Sequence, residues 1–182
     1  MPNWCMNTVT LLHTDPVLVQ RVKDSFSRGE LCQEFVPIPE EEKENWYNWC
    51  IENWGTKWDV GSNSNIGGDM DDREGGVFLN FDSAWTPPTA FYEKMEELGF
   101  SIEAYYYEPG CGFCGRWSSA DGDDYYEFDD EVNAEWVREN IPVDIDTTFG
   151  ISDVMEEDEQ YENEEDLEPV PVEETVMKKD SE

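Results

Sequence analysis

The order of extended and helical runs constrains this chain more than any other feature. Residues 4–13, Trp4-Cys5-Met6-Asn7-Thr8-Val9-Thr10-Leu11-Leu12-His13, read as a strand. Asp15 then supplies an N-cap and Pro16 suits the first helical turn. Leu18, Val19, Val22 and Phe26 recur at helical spacing, and Gly29 stops the run. A second strand–helix pair follows later. Val77, Leu79 and Phe81 alternate as a strand, and Thr86-Pro87-Pro88 opens a helix with Phe91, Met95 and Leu98 on one face. Residues 100–107 form an aromatic-rich strand. Between the pairs, a short helix is expected over 42–52 and a strand over 56–60, while 61–76 read as a mobile loop rich in Gly, Asn, Ser and Asp. The resulting order is β-α-β-β-α-β. It predicts an α+β protein with a ferredoxin-like antiparallel sheet and both helices on one face.

Beyond that unit, residues 112–119 and 125–128 suggest a hairpin around Asp121-Gly122. Residues 130–140 suggest a last helix, with Val132, Trp136 and Val137 inward. Past Gly150 the composition turns to Pro, Glu and Asp. Residues 1–151 are therefore expected to form one domain with a C-terminal extension, and 152–182 a disordered acidic tail.

Charge narrows the possible partners. The 182 residues carry 45 acids against 11 Lys and Arg, a net −34. Fourteen acids and two lysines lie from Ser152 onward, which leaves 31 acids and 9 bases, a net −22, for the first 151 residues. Such a field opposes nucleic acid, nucleotides and anionic membranes, whose binders need Lys and Arg. It attracts basic protein surfaces, including those that hold DNA. The expected partner is thus a basic host protein such as a DNA-binding defence complex or nuclease, with no direct nucleic-acid or membrane binding. No run approaches the roughly 18–20 apolar residues of a membrane span. Met1-Pro2-Asn3-Trp4 lacks the pattern of an export signal, so Cys5, Cys32, Cys50, Cys111 and Cys114 are expected as reduced thiols in a bacterial cytoplasm.

Catalytic and metal motifs are weak. His13 is the one histidine, and no nearby residue identifies itself as its nucleophile. Cys111-Gly112-Phe113-Cys114 is a CxxC, but Pro109-Gly110 precedes it and a strand follows, so the helix start that would acidify a thiol is missing. It also offers only two of the four usual zinc ligands. Asp59, Asn63, Asn65, Asp69, Asp71 and Asp72 supply oxygens in one loop, without the EF-hand pattern. The expectation is no catalytic residue, no metal and no cofactor.

Aromatic clustering is the strongest local signal. Residues 46–59, WYNWCIENWGTKWD, hold four tryptophans in fourteen positions. Trp46, Trp49 and Cys50 can share a helix face at core spacing, while Trp54, Thr56 and Trp58 can share a strand face. Asn48, Asn53 and Asp59 are candidate acceptors for buried indole N–H groups.

Four ordered blocks resemble a known family. They are Asn3-Trp4-Cys5-x-Asn7, Trp54-Gly55-Thr56-Lys57-Trp58-Asp59, Phe81-x-x-Ala84-Trp85-x-Pro87-Pro88, and Tyr106-Tyr107-Glu108-Pro109-Gly110-x-x-Phe113-x-Gly115. The pattern, over about residues 3–120, resembles the phage- and plasmid-encoded YubB-type accessory proteins. The resemblance implies a ferredoxin-like domain and carries no catalytic residues over. Its blocks fall at strand ends or in connections, where they can converge. Trp54, Thr56, Lys57, Trp58, Asp59, Trp85, Pro87 and Glu108 are the candidate binding residues. They either plug the end of the sheet, with Lys57, Asp59 and Glu108 as a polar network, or line an aromatic pocket with Lys57 as its positive anchor. The functional expectation is a non-enzymatic accessory protein, an acidic DNA-mimic-like inhibitor of a host defence or nucleic-acid-processing protein. The alternative is a module that binds a small molecule or peptide in a tryptophan-lined pocket.

Overall fold

In a computed structural model, which describes residues 3–64, 67–129 and 131–165 (the backbone alone from 162), six strands form one antiparallel sheet. They are β1 (Trp4–Leu12), β2 (Gly68–Arg73), β3 (Gly76–Ala84), β4 (Ser101–Glu108), β5 (Phe113–Ser118) and β6 (Gly122–Glu127), in the spatial order β2-β3-β1-β4-β5-β6. Among the described residues there are seven α-helices: α1 (Pro16–Arg28), α2 (Leu31–Phe35), α3 (Trp46–Asn53), α4 (Thr89–Glu97), α5 (Ala134–Asn140), α6 (Val143–Phe149) and α7 (Ile151–Glu165). A 3-10 turn, Glu40–Asn45, leads into α3. The protein is thus α+β.

Alternation along β1 builds the main core. Cys5, Asn7, Val9 and Leu11 are buried on one face, and Met6, Thr8 and Thr10 lie on the other. Val9 pairs with Leu79 of β3 and Ala104 of β4, so the central strands stack their apolar residues in register. Val22 and Phe26 of α1, and Phe91 and Met95 of α4, close over this face. The ends of α1 follow the sequence signals. The Asp15 carboxylate accepts the Val17 N–H at 2.8 Å, and Gly29 ends the helix at φ 76°.

The other face departs from the expectation of helices on one side only. Tyr105, Tyr107, Cys114 and Tyr126 make it apolar over β4, β5 and β6, and Val137, Ile141, Ile145 and Ile151 of α5–α7 pack there. Over β1 and β3 the same face carries Thr8, Thr10, Asn80 and Asp82. Met6 and Phe78 share that face, but the polar residues between them break up the apolar surface that a helix would bury.

Three local expectations need correction. Residues 56–60 form no strand, because Thr56 and Asp59 spend their polar atoms on fixing a loop. Residues 61–76 are not one loop: β2 pairs with β3 from Gly68↔Phe81 to Arg73↔Gly76, an edge strand of acids that lacks apolar alternation. The boundary expected at 151/152 falls inside α7. Ile151 and Ser152 are buried, and Asp146 accepts both the Ser152 N–H (2.8 Å) and its hydroxyl (2.7 Å). Glutamate favours helix, and Ile151 and Met155 at i, i+4 supply the packing face. Residues 166–182 of the expected tail lie outside the described residues. No helix among the described residues is long and apolar enough to cross a membrane.

Candidate functional site

Antiparallel pairing brings the start of β1, the end of β3 and the end of β4 to one end of the sheet. The four ordered blocks of the sequence analysis meet there, stitched by specific bonds. Thr56, fully buried, donates its hydroxyl to the Ala84 carbonyl (3.0 Å) and accepts the Ala84 N–H (3.1 Å). Thr86 donates to the Gly55 carbonyl, and Trp85 N–H donates to the Asn3 carbonyl at 3.0 Å. Asn3 also donates its amide to the Cys111 sulfur at 3.3 Å, which ties in the fourth block.

Much of the tryptophan block is framework. Trp54 is 4% exposed; its indole N–H donates to the Val36 carbonyl (2.8 Å), and its ring meets Trp49 edge-on at 5.8 Å. The expected acceptors serve elsewhere. Asn53 donates to the Trp49 carbonyl, Asn48 donates to Asn45, and Asp59 accepts three backbone N–H groups. Those three are Cys32 (2.7 Å), Gln33 (2.9 Å) and Val60 (2.8 Å). Asp59 therefore caps α2 from a distant loop, a service that Glu30 at the N-cap position does not provide. Burial pushes its carboxyl above the usual range, against the pull of those three donors.

Glu108 is 1% exposed and organises the turn after β4, accepting the Gly110 N–H at 3.0 Å and the Cys111 N–H. Pro87 is buried, and its carbonyl accepts the Thr89 N–H at the start of α4. Lys57, Asp59 and Glu108 thus have separate partners and form no shared polar network.

What faces solvent is aromatic. Trp85 is 41% exposed and sits at φ 75°, the one positive-φ non-glycine among the described residues. That region is sterically costly for a tryptophan. The Lys57 ammonium lies 4.5 Å from the centre of the Trp58 ring and 5.6 Å from that of Tyr47. Trp58 stands 5.8 Å from Trp4, and Tyr47 6.0 Å from Trp46. These rings form a surface. Three grooves of about 350, 570 and 450 Å³ elsewhere on the fold are lined by other residues. Trp46, expected in the core beside Trp49 and Cys50, is 39% exposed. The turn of α3 that buries Cys50 leaves Trp46 at its outer start, where helical spacing alone gave no warning.

The remaining candidates are structural. His13 accepts the Asp15 N–H on its ring (2.8 Å) and packs 4.8 Å from Phe100. Cys111 is exposed and Cys114 is buried against α5–α7. Burial raises the Cys50 thiol to about 11 and Cys114 to about 12, and pushes Cys5 and Cys32 well up; for Cys111 the Glu108 carboxylate is the main cause of a rise. The loop carboxylates do not converge. Asp69 and Asp71 lie on one face of β2, while Asp72 lies on the other and pairs with Lys23; Asn65 lies outside the described residues. No cluster of three metal-ligating side chains occurs among the described residues.

This geometry defines an α+β protein whose tryptophan-rich blocks close one end of a six-stranded antiparallel sheet. No family model matches the chain. It is 27% identical over 114 residues to the uncharacterized protein YubB of Escherichia coli (strain K12), covering 52% of this chain and 75% of YubB. The protein api92 of Yersinia pseudotuberculosis, of the DUF1281 family model, shares 22% identity over 57% of this chain with a TM-score of 0.34, and this chain covers 36% of that structure's length. The sequence similarity places the chain beside YubB, which is itself uncharacterized.

Proposed function

We propose that this protein acts by binding, presenting carboxylates to a cationic surface that normally holds nucleic acid. One observation carries the reading: the protein's own cations are already spoken for. Of the 9 Lys and Arg in the first 151 residues, seven form ion pairs: Arg21, Lys23, Arg28, Lys43, Lys94, Arg116 and Arg138. The other two, Lys57 and Arg73, lie over aromatic rings. The net −22 therefore acts outward as surplus carboxylate. Both edge strands display it, through the exposed Asp69 and Asp71 on β2 and Asp123 and Glu127 on β6, while Asp72 and Asp124 beside them answer Lys23 and Arg116. These charges also keep the edges from pairing with another sheet.

The partner class is a basic host protein, such as a nuclease or restriction complex, in a bacterial cytoplasm. A phage or plasmid accessory role rests on the resemblance of the four sequence blocks. The order β2-β3-β1-β4, with α1 and α4 in the crossovers, supports a ferredoxin-like reading of the first four strands. The test is displacement of a fluorescent duplex from a basic DNA-binding enzyme. Displacement should weaken steeply between about 50 and 200 mM salt. It should also weaken in a variant carrying Asp69→Asn, Asp71→Asn and Glu127→Gln. Displacement indifferent to both changes would sink the proposal.

A second reading, a peptide or small-molecule site around Lys57, Trp58 and Trp85, is favoured by the strained, exposed Trp85. A ligand-induced change in tryptophan fluorescence that disappears in Trp85→Gly would support it.

A further inference from the structure

We infer that the outer face of α3 is a docking site for arginine side chains of the basic partner. The inference rests on the proposed binding of a cationic protein and names where its contact is centred. Trp46, Tyr47 and Ile51 on this helix are large apolar side chains that stay 39%, 45% and 38% exposed, with the Lys57 ammonium 5.6 Å from the centre of the Tyr47 ring. Trp46 and Tyr47 meet edge-to-face, and Tyr47 continues through Lys57 to Trp58 and Trp4. The result is an aromatic strip on a protein whose surface is otherwise dominated by acids.

The chemistry of the occupant follows from what surrounds the strip and from how the protein treats its own cations. The turn leading into α3 carries Glu40, Glu41, Glu42 and Glu44, and α3 itself carries Glu52. Only Glu40 of these is ion-paired among the described residues, with Lys43. An acidic segment approaching here meets repulsion, and a neutral apolar one leaves those carboxylates unanswered. A cation satisfies both elements at once. The protein already shows the pairing three times: Arg21 lies 4.6 Å from the centre of the Phe35 ring, Arg73 4.9 Å from that of Phe78, and Lys57 over Tyr47 and Trp58. Arginine suits the strip better than lysine. Its planar guanidinium stacks flat on an indole while its edge N–H groups donate to carboxylates. Tryptophan and tyrosine at the centre of a contact, rimmed by charge, is also the usual make-up of a binding hot spot.

The experiment uses the full chain with two probes of equal charge, an octa-arginine and an octa-lysine peptide, followed by calorimetry. The arginine peptide should bind more tightly. Trp46→Leu or Tyr47→Leu should each weaken it about threefold, and both together about tenfold, while lysine-peptide binding changes little. Trp46→Phe, which keeps a ring, should retain most of the affinity. Because both positions are exposed, unfolding midpoints of the variants should match the parent. Equal binding of the two peptides, unaffected by the leucine variants, would overturn the inference and leave the electrostatic proposal standing. Failure of either peptide or any basic protein to bind would overturn the proposal itself.

Discussion

Replacing Asp59 separates a binding carboxylate from a structural one. In the fold its two oxygens accept three backbone N–H groups, and two of them belong to the fully buried Cys32 and Val60. Asp59→Ala removes all three bonds. At about 1–1.5 kcal/mol net per bond, less the relief of a buried carboxylate, the loss is about 3 kcal/mol. For a chain of this size that lowers Tm by about 6–12 °C. Asp59→Asn should cost about 1 kcal/mol, because its carbonyl oxygen can keep the Cys32 and Val60 bonds while its NH₂ faces the Gln33 N–H. The eight tryptophans make urea unfolding by fluorescence a direct assay. The pH dependence adds a sign. Burial raises the carboxyl in the fold above its unfolded value. The contribution of Asp59 is therefore fully present below the unfolded value and declines as pH rises through the folded one. The penalty of Asp59→Asn should shrink from acid towards neutral pH. An alanine variant within about 0.5 kcal/mol of the parent, or an asparagine penalty that grows with pH, would refute the reasoning.

Further outcomes follow from single contacts. Thiol labelling of the native protein should modify Cys111 alone, and all five cysteines should react once urea unfolds the chain. Gly115→Ala should destabilise by about 2 kcal/mol or more, since a Cβ would lie 2.2 Å from the Tyr106 hydroxyl and disturb its 2.7 Å bond to Asp123; urea midpoints measure it. Thr56→Val keeps the shape but leaves the buried Ala84 N–H and carbonyl without that partner, at a cost of about 1–3 kcal/mol by the same assay.

The framework was legible where periodicity and turn chemistry agree. The alternation of β1 and β3, the Asp15-Pro16 start and Gly29 stop of α1, and the Asp121-Gly122 hairpin all correspond to observed elements. Elements without an apolar pattern stayed hidden. β2 is an acidic edge strand that owes its structure to bonds with β3, and α7 has only a short packing stripe amid glutamates. At the candidate site the sequence marked the right blocks but not the division of labour within them. Trp54, Thr56 and Glu108 are consumed by internal bonds, while Trp46 and Tyr47 of the same aromatic run face water.

Composition and local pattern, by themselves, determined the sign of the field this protein projects and the strands and helices β1, α1, β3, α4 and β4 that form the centre of its fold. Both are additive along the chain, so they survive without knowledge of neighbours. Which carboxylate is a cap, which tryptophan is a pillar and which stands exposed were decided only by tertiary contacts. A side chain's role depends on whether distant backbone groups, such as the N–H groups of Cys32 and Gln33 for Asp59, arrive to claim its polar atoms.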